Sequence, residues 1–209
     1  MAVTSLLLFS TAPTVIVASG AHNSVTGGSG QTQRTWYDVS NLLTSNNVAA
    51  TYYPSQTLDG DYLRFDLSEL SFPSNCNVEK LQVIVKSGSG AFNVPNGITV
   101  TVNAAISTLY TTAGSISFSS PQSATIGYNQ ANTEVGIPSG GSTFDFTVGN
   151  GSSWATGKYL YIWLSASPGF GGSNSEYVQI DTVGVYVQYA TIATVAQPPG
   201  SLETLGVGT

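Results

Sequence analysis

The feature that most limits what this chain can fold into is a two-residue period. In Tyr62-Leu63-Arg64-Phe65-Asp66-Leu67, the apolar Leu63, Phe65 and Leu67 share one side. Arg64 and Asp66 share the other. Successive side chains alternate faces only in an extended strand, so this pattern predicts a half-buried antiparallel strand. Residues 78–87 repeat it, with Leu81, Val83 and Val85 directed inward and Lys80, Gln82 and Lys86 outward; Ile84 breaks the rule. Residues 159–165 place Leu160, Ile162 and Leu164 on one face and Tyr161 and Trp163 on the other. Residues 177–189 carry Val183, Val185 and Val187 inward. Further strands are predicted at 14–18, 98–112, 123–128 and 143–148, with Ala104-Ala105 as a bend or bulge in the long one. Short helices are predicted at 38–44 and 66–70.

Turn chemistry separates these runs: Pro73-Ser74-Asn75, Pro95-Asn96-Gly97, Pro138-Ser139-Gly140-Gly141 and Gly149-Asn150-Gly151. Seven to nine strands with turn signals at short intervals predict an all-β antiparallel sandwich or jelly roll. Residues 31–190 form the expected β-sandwich domain. Residues 1–30 read as an N-terminal arm carrying one strand. Residues 191–209 read as a C-terminal arm, because Pro198-Pro199-Gly200 stops regular structure. Residues 1–21 make a poor secretory leader, since no Lys or Arg precedes Arg34.

Composition narrows the function. Only 8% of the 209 residues are charged and the net charge is -6, which argues against a nucleic-acid binder and its basic footprint. Apolar residues make up 41% of the chain, enough for a core and too many for classical disorder. No apolar run approaches the roughly 18–20 residues of a membrane-spanning helix.

The residue types that carry chemistry are sparse. His22, the one histidine, lies in a Gly/Ser/Asn loop with no Gly-x-Ser-x-Gly elbow to serve, and reads as an exposed loop residue. Cys76, the one cysteine, follows a turn with no cation before Lys80, so an inert thiol is expected. Asp59-Gly60-Asp61 precedes a strand; it reads either as a turn with two solvated aspartates or as part of a calcium loop. No pair of acids or triad points to catalysis. Tyr159, Tyr161 and Trp163 form an aromatic row on one strand face. Such a row is either a platform for sugar rings or the filling of a second packed face or subunit interface, and packing is favoured.

The stretch from Trp36 through Asn41-Leu42-Leu43, Ala49-Ala50-Thr51-Tyr52, Asp61-Tyr62-Leu63-Arg64-Phe65, Phe72-Pro73 and the strand at 78–85 resembles a β-sandwich of tailed-phage virion proteins. The strand at 180–189 is similar to that family's last strand. The resemblance spans residues 36–190, is best at its two ends and leaves both arms outside. It implies a non-enzymatic virion structural protein: a capsid decoration protein, head fibre or tail-associated protein, with no catalytic residue and no cofactor. The expected partners are other virion proteins, the major capsid protein first, reached through the arms. A homo-oligomer is expected, a trimer above others, with neither nucleic acid nor membrane as partner. The alternative is a carbohydrate-binding or host-adhesin module using the aromatic row.

Overall fold

A computed structural model describes residues 2–3, 6–17, 35–53, 61–89, 93–94, 97–111, 116–127, 131–140, 143–146, 150–151, 153–167, 170 and 176–192. Its strands are β1 (Ala2–Val3), β2 (Leu7–Leu8), β3 (Thr14–Ile16), β4 (Trp36–Tyr37), β5 (Ala50–Tyr52), β6 (Tyr62–Asp66) and β7 (Cys76–Ser87). They continue with β8 (Thr99–Ser107), β9 (Gln122–Gly127), β10 (Glu134–Ile137), β11 (Phe144–Asp145), β12 (Tyr159–Ser167) and β13 (Val178–Thr191). These form two antiparallel sheets packed face to face, the all-β sandwich that the alternation predicts.

The first sheet is organised by its two longest strands, β7 and β13, which pair along most of their length. The free edge of β7 takes β10 and then β11. The other edge of β13 takes three short pieces in succession: β5, β2 and β1. β4 closes that side against β5. The second sheet runs β3-β6-β12-β8-β9. Between the sheets lies one core. Leu81, Val83, Val85, Val183, Val185 and Val187 come from one layer; Leu63, Phe65, Val102, Leu160, Ile162 and Leu164 come from the other.

Both short helices occur where predicted, but as tighter 3-10 turns, at Val39–Leu43 and Leu67–Glu69. The second is capped by Asp66, whose Oδ1 accepts from the Ser68 N–H at 2.9 Å. Ile84 breaks the alternation because its outward position is covered. It is 5% exposed and lies between Gly136 and Gly184 on the flanking strands. Gln82 crowds the space over Gly136, and Leu6 and Leu8 crowd that over Gly184.

Several expectations are corrected. The N-terminal arm carries three strands instead of one among its described residues, and they enter both sheets. Each pairs over only two or three residues, too short a stretch for periodicity to reveal. Ala104-Ala105 is no bulge: β8 runs straight through it against Ile162 and Tyr161. The irregularity against β9 falls at Val100/Thr101 instead. β7 begins at Cys76, directly after the turn, instead of at residue 78. Asp61 is not solvated; it is 2% exposed at the head of β6, and its carbonyl accepts from Trp36 Nε1 at 3.0 Å. Among the described residues of the strand expected at 143–148, only β11 is strand. His22, Asp59 and residues 193–209 lie outside the described residues.

Candidate functional site

The outer face of the second sheet gathers the aromatic residues that the sequence marks out. β12 directs Tyr159, Tyr161 and Trp163 to this face, β6 adds Tyr62 and Arg64, and β3 adds Thr14 and Ile16. The connection from β8 to β9, residues 108–121, is far longer than the two to five or so residues that join neighbouring antiparallel strands. Its described parts cross this face.

Tyr161 lies beneath that crossing and is fully buried. Its hydroxyl donates to the Leu109 carbonyl. Phe118 lies over it at 5.0 Å between centroids and stacks on Trp163 at 5.2 Å and 20°. Tyr62 meets both Phe118 and Trp163 edge-on. The small Ala105, opposite Tyr161 on β8, leaves room for this second aromatic cluster. Burial raises the Tyr161 hydroxyl above its ordinary pKa, partly offset by the Thr111 backbone and the Arg64 guanidinium. The row Tyr159-Tyr161-Trp163 is therefore not an open platform: Tyr161 is buried and Trp163 is stacked under Phe118.

At one end of the covered face a cleft of about 220 Å³ remains open. Arg64, 8% exposed, forms part of its wall. The guanidinium donates to the Thr111 carbonyl and, at 3.2 Å, to Thr14 Oγ1. It lies 3.9 Å from the Tyr110 ring centroid and 5.3 Å from that of Tyr159, both distances suited to cation–π attraction. Tyr110 meets Tyr159 edge-on at 5.4 Å and is 60% exposed. Asp66 and Glu69 line the same cleft. Alternation alone places Arg64 outward in solvent. The sequence gives no sign that residues 109–111 return to cover it.

Two other clusters stand apart. A wider cleft of about 580 Å³ runs between the end of β8, residues 117–122 and residues 143–146. Its charged groups are already engaged: Lys158 donates to the Trp154 carbonyl, and Asp145 accepts from Thr143 and pairs with Lys80. On the first sheet, Lys86 meets the buried Asp181 beside Ser45, Asn47 and Thr182. Cys76 is buried as expected of an inert thiol, and burial raises its pKa. Among the described residues no group of three His, Cys, Asp or Glu is placed to hold a metal ion.

Fold and surface together define an antiparallel β-sandwich with one face closed by its own β8–β9 connection. Comparison with known proteins adds no relative: no family model, no curated protein and no solved structure matches the chain.

Proposed function

We propose that the chain is a non-enzymatic virion structural protein, a capsid decoration block that binds the head surface through its C-terminal segment. The observation that carries this reading is where the chain enters and leaves. Ala2 pairs with Tyr189 near the end of β13, and Ile192 leaves that strand bonded to the Asn75 carbonyl at 2.7 Å. Both ends of the described chain therefore emerge at one pole of the sandwich. A rigid block with both ends at one pole can stand on a shell and present its opposite end outward. In this reading residues 193–209 add backbone hydrogen bonds to a neighbour's sheet edge, a mode in which main-chain pairing supplies affinity. β1 to β3 are committed within the chain's own sheets, so the attachment falls to the C-terminal segment. A closed homo-oligomer, a trimer in the first instance, fits local shell symmetry.

The test uses particles from the culture that carries the gene. The purified full chain and a 1–192 truncation are each offered to particles stripped of this protein, and rebinding is followed by sedimentation and immunogold labelling. The expected result is regular surface labelling by the full chain and none by the truncation, with equal melting temperatures. Rebinding by the truncation, or failure of antibody against the chain to label intact particles, overturns the reading.

A further inference from the structure

We infer that the Arg64–Tyr110–Tyr159 cleft is a binding subsite for one neutral, hydroxyl-rich sugar ring. The inference stands apart from the assembly role and rests on the chemistry of the cleft wall. Arg64 is more than nine-tenths buried and forms no ion pair among the described residues. A buried cation normally meets a carboxylate. Here the guanidinium instead meets the neutral oxygens of Thr111, Thr14 and Tyr161 and two tyrosine rings. Of its five N–H donors, those not used on Thr111, Thr14 and the Tyr161 hydroxyl remain for a ligand.

The two carboxylates in the cleft are each held by one oxygen. Asp66 Oδ1 accepts from Ser68 N and, at 2.6 Å, Ser68 Oγ. Glu69 Oε2 accepts from Thr11 N at 2.9 Å and Ser10 Oγ at 3.2 Å. Among the described residues nothing bonds Asp66 Oδ2 or Glu69 Oε1. The cleft thus offers fixed acceptors on two acids and fixed donors on one arginine. Vicinal hydroxyls, which both give and accept, satisfy that combination. An anionic ligand meets two carboxylates against one guanidinium, and a cationic ligand meets the guanidinium itself.

Tyr110 supplies the apolar contact. One ring face is backed by Arg64, while most of the side chain stays open to solvent. A tyrosine held from behind loses little freedom on binding, so its contact area converts efficiently into affinity. The cleft's volume, about 220 Å³, falls below the ~300–1,000 Å³ of drug-sized pockets, which limits the ligand to a single ring. Affinity for one ring is expected near Kd ~1 mM. Several copies on one particle would multiply it.

The test is a titration of the full chain, followed by ¹H–¹⁵N NMR, with the methyl pyranosides of glucose, galactose, mannose and N-acetylglucosamine. Glucuronate and glucosamine serve as charged counterparts. The expected result is saturable shifts at residues 64, 110 and 159 with at least one neutral glycoside. Tyr110→Ala lowers that affinity tenfold or more, while Tyr110→Phe retains the ring and most of the binding. Unshifted strand amides elsewhere in Tyr110→Ala show that the fold is kept. No shift at those residues with any neutral glycoside overturns the inference. So does binding undiminished in Tyr110→Ala, or equal or tighter binding of a charged counterpart.

Discussion

Lys86 Nζ lies 3.1 Å from Asp181 Oδ2, and the carboxylate is fully buried while the lysine side chain keeps 23% of its exposure. The pair depends on a fault in the β7–β13 ladder. The register shifts between Ile180 and Thr182, and Asp181 occupies the shift. Such irregularities re-aim a side chain that regular pairing would point elsewhere. Ser45 and Thr182 hydroxyls share the same Asp181 oxygen, which ties the segment after the first 3-10 helix to β13.

Unequal burial makes the two halves of this pair unequal. Lys86→Met leaves Asp181 buried without its cation, and removing one partner of a buried pair costs about 3–5 kcal/mol. Asp181→Asn leaves a lysine that can turn to water, so its cost is smaller. Urea unfolding of both variants checks the order; a larger loss for Asp181→Asn contradicts it.

The crossing over the second sheet is held by Tyr161 at its centre. Tyr161→Phe removes the donor to the Leu109 carbonyl while keeping the ring, an expected loss of about 0.5–1.5 kcal/mol. Phe118→Ala uncovers both Tyr161 and Trp163 and is expected to cost more, up to about 1.5–3 kcal/mol. Limited proteolysis within residues 109–118 should speed up in both variants, and more in Phe118→Ala. Unchanged cleavage in both would mean that the crossing is held elsewhere.

The difference between Tyr161 and Leu160 shows how far the sequence could be read. Alternation assigns Leu160 to the core and Tyr161 to the outer face, and the sheet obeys. It does not report whether an outer face is covered, because that depends on where a distant connection returns. The same gap hides Arg64, which reads as a solvated cation and is packed beneath Tyr110. β10 escaped notice because Glu134-Val135-Gly136-Ile137 pairs only at an edge and contains a glycine that strands usually avoid. Asp181 escaped because a one-residue register shift leaves no trace in hydrophobic periodicity. What was legible came from long ladders with one wet face; what was not came from short edge pieces and from contacts made across the chain.

Two glycines beside Ile84 differ in what stands over them. A Cβ at Gly184 would lie 2.9 Å from the Leu7 carbonyl oxygen, which is backbone, and 3.0 Å from Leu6 and Leu8 side-chain carbons. A Cβ at Gly136 would meet the Gln82 amide at 2.5 Å, the far end of a side chain rather than backbone. Gly184→Ala should therefore lift β2 off β13 at a cost of about 1–3 kcal/mol, with faster hydrogen exchange at Leu7 and Leu8. Gly136→Ala should cost well under half as much. Equal losses would mean that the N-terminal strand is not seated over Gly184.

Alkaline pH should weaken the fold through two buried groups. Burial raises both Cys76 and Tyr161, whose ordinary values are 9.0 and 10.0. The unfolded chain releases these protons first, so the folded chain binds more protons above pH 9. Stability is therefore full below that value and falls as pH rises from it. The cysteine acts first and the tyrosine about one unit later, by their ordinary values. Urea midpoints measured at about pH 8 and about pH 10.5 should differ in the native chain and differ less in a Cys76→Ala/Tyr161→Phe double variant. Equal pH dependence in the two proteins would assign the alkaline loss to other groups, since the double variant lacks both protons.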